Sequence, residues 1–254
     1  MGTMIPSFEQ IDDLHRRIAP SEEAYELVHT HCMIVATIGR MVAERANALF
    51  VRRCTLPTHG DGSPDPAAVA GYDGSLPGKG TAGIGFSGGS VPPRLVDARL
   101  VMIGGLLHDI GTYLVFRHDG SDGKPLQFDK ACYIQHGLKG YEYLLGEGVD
   151  EAIAEFARNH TGVGLTREAV ETQGLPLPPD DYVPVNLEQE IVMYADKFHS
   201  KSVPPKFLTV AAYTARAERF GEDNKRAWLA LVDKWGVPDI PALAARYAMR
   251  VKAA

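Results

Sequence analysis

Between Leu100 and Leu107 the chain reads Leu-Val-Met-Ile-Gly-Gly-Leu-Leu, and the next two residues are His108 and Asp109. A run with no polar side chain belongs inside a fold, and the periodicity from Arg94 to Leu107 predicts a buried helix. An imidazole and a carboxylate are thereby carried into the interior, where each is costly without a partner. A divalent cation is one such partner, since neutral imidazole and carboxylate are common metal ligands. Taken alone, the pair also reads as a satisfied core histidine beside a C-terminal aspartate. Gly111 follows, placed to let the chain turn out of the helix.

The segments available to surround that helix are themselves helical. Phe8 to Ile18 is a short amphipathic pattern closed by Pro20, and Ser21-Glu22-Glu23 opens a long one that runs to about Arg53. Val28, His31, Val35, Ile38 and Val42 recur at spacings of three and four, so His31 lies on the apolar stripe. His29 points elsewhere, about 200° around the helix. Downstream, Tyr133 to Leu145 carries His136, Asp150 to Asn159 ends at His160, and Thr166 caps a short helix that stops at Gly174. Leu187 to Phe198 is amphipathic, with Asp196 beside its apolar stripe, and three further helices are predicted over about 205–220, 222–234 and 240–251. No alternating strand pattern and no internal repeat interrupts this series. The fold class is therefore all-α, a single helical domain over 1–254 with C-terminal helices in 204–254. Residues 57–93 stand apart as a Gly/Pro-rich inserted loop. They lack the spacing of a phosphate-binding loop and read as a lid or surface insertion.

A formal net charge of -6 argues against a nucleic-acid polymer as partner but leaves room for a small nucleotide in a local basic pocket. Cys32, Cys54 and Cys132 are odd in number and widely spaced, which points to reduced thiols and a cytoplasmic protein. No apolar run approaches membrane-spanning length, so no membrane is expected. Oligomeric state leaves no mark in the composition.

His31, His108, Asp109, His136, His160 and Asp196 each fall on a core-facing stripe or at a predicted helix end. Four histidines and two aspartates exceed the needs of one ordinary site but suit two metals that share a carboxylate. Asp109 is the natural bridge, being adjacent to another ligand. Two such ions about 3.5–4 Å apart can hold a hydroxide between them and clamp a phosphoryl oxygen.

At these residues the chain resembles the HD-domain superfamily of metal-dependent phosphohydrolases. The matching pieces are His31-Cys-Met-Ile-Val-Ala, Leu-Leu-His108-Asp109-Ile-Gly, His136-Gly-Leu-Lys-Gly-Tyr, Asn-His160-Thr-Gly-Val-Gly-Leu-Thr and Tyr-Ala-Asp196-Lys. The resemblance covers about Val28 to Lys201 and is strongest to uncharacterised HDIG-type proteins, where these motifs follow in the same order. It implies an HD-domain helical bundle. It also implies two divalent metal ions (Fe, Mn or Zn), one on His31, His108, Asp109 and Asp196 and the other on Asp109, His136 and His160. The implied activity is hydrolysis of a small phosphorylated metabolite, a nucleotide, by attack of a metal-bound hydroxide. Lys197 and Lys201, beside the Asp196 position, are candidates for phosphate contacts and stand with Asp109 as the catalytic set, and Arg158, Lys139 and Arg167 are weaker candidates. Where many relatives carry lysine or glutamate after the His-Asp-Ile-Gly motif, this chain has Thr112, which leaves water activation to the metals. Two other readings share the ligand set. One is a di-iron oxygenase of the myo-inositol oxygenase-like type, and the other is a non-catalytic sensor of metal or nucleotide.

Overall fold

The structure, a computed structural model, describes residues 3–55 and 84–253. Its spine is a pair of helices, α1 (Phe8–Ile18) leading into the 34-residue α2 (Glu22–Thr55). Ser7 and Gln10 form a capping box at the start of α1, satisfying two free backbone donors reciprocally. The apolar run becomes α3 (Ala98–Leu107), whose first turn is capped by the Asp97 carboxylate on the N–H groups of Arg99 and Leu100. α3 presses directly on α2 at Gly105, where a Cβ would come within 2.7 Å of the Ala36 Cα. Only glycine permits helices so close, and this contact sets His108 beside His31.

Gly111 has a different task from the one expected of it. The chain does not turn away there but continues into a 3-10 helix, Ile110–Val115. A Cβ on Gly111 would lie 2.1 Å from the His136 carbonyl oxygen and 2.3 Å from the Gly140 nitrogen. Its lack of a side chain lets the next helix dock against the Asp109 turn. That helix is α4 (His136–Gly146), and it is followed by α5 (Glu151–Arg158), α6 (Arg167–Thr172) and α7 (Leu187–Asp196). The C-terminal part adds α8 (Val210–Ala217), α9 (Glu222–Trp235) and α10 (Ile240–Arg246). The all-α class holds.

Strands of two or three residues correct the expectation of helices alone in 204–254. In chain order they are β1 (Phe86–Ser87), β2 (Phe116–His118), β3 (Gln127–Phe128), β4 (His199–Ser200), β5 (Lys206–Leu208), β6 (Val237–Pro238) and β7 (Arg250–Lys252). β4, β5 and β7 form one three-stranded sheet, β2 pairs with β3, and β1 pairs with β6. Elements this short cannot display an alternating period, which is why the sequence reads as helix on either side of them. The insertion is likewise only partly a loop. Residues 57–83 lie outside the described residues, but Phe86 is buried, Gly88 accepts from Arg45, and the Ser90 N–H donates to the Lys234 carbonyl.

Two apolar clusters fill the interior. One gathers α1, the first half of α2, α3 and α5; the other joins the second half of α2 to α7 and the C-terminal helices. At the centre of the second sits Trp228, fully buried against Tyr194, Phe198 and Tyr213, with its indole N–H on the Thr214 hydroxyl. An aromatic side chain buried this way contributes about 1.5–3 kcal/mol by removal from water. Contrary to expectation, the 18 residues Ala98–Val115 are long and apolar enough, by composition alone, to cross a membrane. Some 72% of that run is buried within the fold, as in a core helix.

Candidate metal centre

The six residues singled out in the sequence converge. His31 comes from the middle of the α2 stripe, His108 caps α3, and Asp109 begins the 3-10 turn. His136 opens α4, His160 follows α5, and Asp196 ends α7. They form two sets, His31/His108/Asp109/Asp196 and Asp109/His136/His160, each with donor atoms within 4.8 Å of one another. Asp109 is fully buried and belongs to both. Its Oδ2 lies 2.9 Å from His31 Nε2, and its Oδ1 lies 3.4 and 3.5 Å from His136 and His160 Nε2. Asp196 Oδ1 completes the first set at 3.1 Å from His31 Nε2 and 3.5 Å from His108 Nε2.

The hydrogen bonds fix where the ring protons reside. His108 Nδ1 faces the Gly105 carbonyl at 2.8 Å, His136 Nδ1 that of Tyr133 at 2.6 Å, and His160 Nδ1 that of Ala157 at 2.7 Å. A carbonyl oxygen only accepts, so in each ring the proton sits on Nδ1 and Nε2 is a bare lone pair. Yet His136 and His160 bring their Nε2 atoms to 3.0 Å, and His31, whose proton lies on the Nδ1 that faces His199 at 2.8 Å, brings its own Nε2 to 3.2 Å from that of His108. Two lone pairs at hydrogen-bond distance have no proton to share. A cation between them removes the conflict, and two imidazoles with a carboxylate oxygen suit a divalent metal. Burial, foremost among several effects, pushes His31 and His160 down to about 4 and His136 to about 3, so all three are neutral at pH 7, as ligation requires. Burial alone would raise the Asp196 carboxyl, but the positive charge of the adjacent Lys197, foremost among the opposing effects, outweighs it and holds it well below the usual range.

The sequence profile of the HD domain matches residues 28–201, a span that contains all six. The chain belongs to the HD-domain family. An uncharacterised protein of Methanocaldococcus jannaschii is 42% identical over 101 residues, which are 40% of this chain and 49% of that one. A tRNA (cytidine(56)-2′-O)-methyltransferase of Picrophilus torridus is 38% identical over 104 residues, 41% of this chain and 25% of the enzyme. The matched region thus spans half or less of these relatives. Among solved structures, the HD domain of the L. monocytogenes phosphodiesterase PgpH aligns over 93% of this chain and 98% of that one, with 14% identity and a TM-score of 0.43.

The HD centre lies on the wall of a cavity of about 520 Å³, a size usual for small-molecule sites. Both predicted lysines line it, but both are engaged. Lys197 Nζ donates to Asp196 Oδ2 at 2.6 Å and to the His160 carbonyl at 2.9 Å, so it holds the Asp196 and His160 segments together. The Lys201 ammonium rests on Asp109 Oδ2 and supplies that carboxylate's counter-charge; burial draws it down to about 7, and the positive charge of Arg216 pushes the same way. Thr112 is no bystander, since its buried hydroxyl donates to Asp109 Oδ1 at 2.9 Å. Arg158 stacks on Tyr182 and pairs with Asp180, Arg167 lies 3.5 Å from Asp180, and neither they nor Lys139 line the cavity.

Sequence reasoning missed three residues here. His199 Nδ1 sits 2.8 Å from His31 Nδ1, while its Nε2 faces the Met249 sulfur. The thioether can only accept, so His199 carries its proton on Nε2 and its bare Nδ1 accepts from the His31 Nδ1–H, an outer partner that orients the His31 ring. Tyr133 packs against the His136 ring in a tilted arrangement, 4.8 Å between centroids, and, with Arg216, lines the cavity. His199 stands three residues after Asp196 and Tyr133 three before His136, a spacing that could have signalled both.

Proposed function

We propose that this HD domain holds two divalent cations, one on His31, His108, Asp109 and Asp196 and one on Asp109, His136 and His160. Its reaction is hydrolysis of a small phosphorylated metabolite, a nucleotide. The observation that carries the reading is the pair of bare Nε2 contacts on either side of the Asp109 carboxylate. Divalent metals bound there supply a nucleophilic water near neutral pH and Lewis-acid stabilisation of phosphoryl oxygens. The chain's own groups do the rest. The three backbone carbonyls and His199 lock the imidazole tautomers, Thr112 holds the Asp109 carboxylate, and Lys197 ties Asp196 to the His160 segment. Lys201 is placed to meet a phosphoryl oxygen once its hold on Asp109 is relaxed.

The same donor set suits iron for oxygen chemistry. What favours hydrolysis is Arg216 on the cavity wall, a cation with no carboxylate partner among the described residues, which complements an anionic substrate better than a neutral polyol. The test is anaerobic purification, reconstitution with Mn²⁺, Fe²⁺ or Zn²⁺, and a phosphoester panel. Two metals per chain and metal-dependent phosphate release are expected. Full metal content with oxygen uptake and no phosphate release overturns the reading.

A further inference from the structure

The C-terminal helices lie beyond the span matched by the HD profile, yet one of them reaches the cavity. Tyr213 and Arg216 on α8, and Phe220 in the 3-10 turn that follows, are spaced by three and four residues and share one face. All three, together with Asn224, line the cavity that His136, His160 and Asp196 also line. α8 is a rigid carrier, because Tyr213 is locked against the buried Trp228.

Arg216 differs from the other cations of the cavity. Lys197 and Lys201 are spent on Asp196 and Asp109. The acid next along the helix, Glu218, is taken by Lys225 at 2.9 Å. Among the described residues no carboxylate pairs with Arg216, an exposed residue that lines the cavity. An arginine held on a fixed helix with its fork free is suited to bidentate contact with a phosphate. Phe128, Tyr133 and Phe220 also line the cavity and leave a largely apolar space for the body of a ligand.

We infer that Arg216 forms a second anion subsite, so that the ligand carries a phosphate apart from the one at the metal-ligand sets. The chemistry at the first phosphate rests on the hydrolase reading above, but the two-anion requirement is a property of the cavity. Arg216 is a specificity residue contributed by the part of the chain outside the family match.

Non-hydrolysable probes test this on the metal-loaded full chain. Propylene- and hexylene-bisphosphonate are compared by calorimetry with the matching alkyl monophosphonates. The wild type is expected to bind at least one bisphosphonate about tenfold or more tightly than its monophosphonate. Arg216→Ala should erase that preference while changing monophosphonate affinity less than about twofold, and Arg216→Lys should keep part of it. Helicity and melting temperature should be unchanged, since the side chain is exposed. Equal affinity for mono- and bisphosphonates in the wild type, or equal weakening of both in Arg216→Ala, overturns the inference. If the loaded protein hydrolyses no phosphoester but keeps the Arg216-dependent preference, the hydrolase reading falls and the subsite stands. Turnover without the preference gives the reverse.

Discussion

Two kinds of buried histidine share this core. His15 is fully buried, with its Nε2 on the Leu106 carbonyl at 2.8 Å and its Nδ1 on the Tyr113 hydroxyl at 3.0 Å. Its single proton goes to the carbonyl, the phenol donates to the other nitrogen, and nothing is left over. His136 and His160 are equally buried but give their proton to a backbone carbonyl and keep a bare Nε2. Burial lowers the pKa of all three, so neither burial nor pKa distinguishes the two kinds. What differs is the surplus bare nitrogen.

Metal content should separate the two kinds of histidine most strongly. Asp109→Ala should lose both cations and lower turnover by about 10³-fold or more, because both sets depend on its carboxylate. His160→Ala should lose one, and His15→Gln none. Elemental analysis of the three variants, with circular dichroism to confirm folding, decides it. Metal loss in His15→Gln equal to that in His160→Ala would sink the distinction.

Acid sharpens the other side. The His15 ring is pushed down to about 4 by burial, against an unfolded value of 6.5. Between these values the unfolded chain binds a proton that the folded chain refuses. The stabilisation is therefore complete above pH 6.5 and is lost as pH falls towards 4, with a total of about 3 kcal/mol at 1.36 kcal/mol per unit. Urea melts of wild type and His15→Gln at several pH values should show the wild type losing that much more on the acid side. The site histidines titrate alike in both proteins and cancel. Parallel pH profiles would mean that His15 does not carry the difference.

Smaller effects probe the outer partners. His199→Ala removes the acceptor of the His31 Nδ1 proton and should weaken the four-ligand set by about 10–100-fold. The Asp109/His136/His160 set should bind as before, and metal titration reads the two separately. Thr112→Val deletes one hydrogen bond to Asp109 and should lower kcat by less than about tenfold, near 1 kcal/mol. A drop as deep as that of Asp109→Ala, with metal content intact, would put Thr112 in the reaction itself.

The convergence of these histidines and aspartates was legible because such residues are rare on apolar stripes and each stands at a stripe or helix end. Their partners were harder to see. His199 lies on a two-residue strand and meets His31 across 168 positions of sequence, which no local period encodes. Arg216 looks like any solvated helix cation until α8 is placed against the cavity. Lys197 read as a free phosphate contact, but the sequence could not reveal the Asp196 and His160 oxygens that occupy it. Gly111 was recognised as special for the wrong reason, since close approach and turning leave the same residue in a sequence.

The packing of Trp228 gives this protein an optical readout of its own cavity. The indole touches Tyr213 at 4.6 Å between ring centroids, and the other side of Tyr213 lines the cavity wall. The chain has two tryptophans, and the second, Trp235, donates to Glu190 and carries Lys234 over its ring. A Trp235→Phe variant would leave a single indole, excited selectively over the ten tyrosines, whose emission is coupled through Tyr213 to whatever occupies the site. Binding could then be followed in real time, without a label and without turnover.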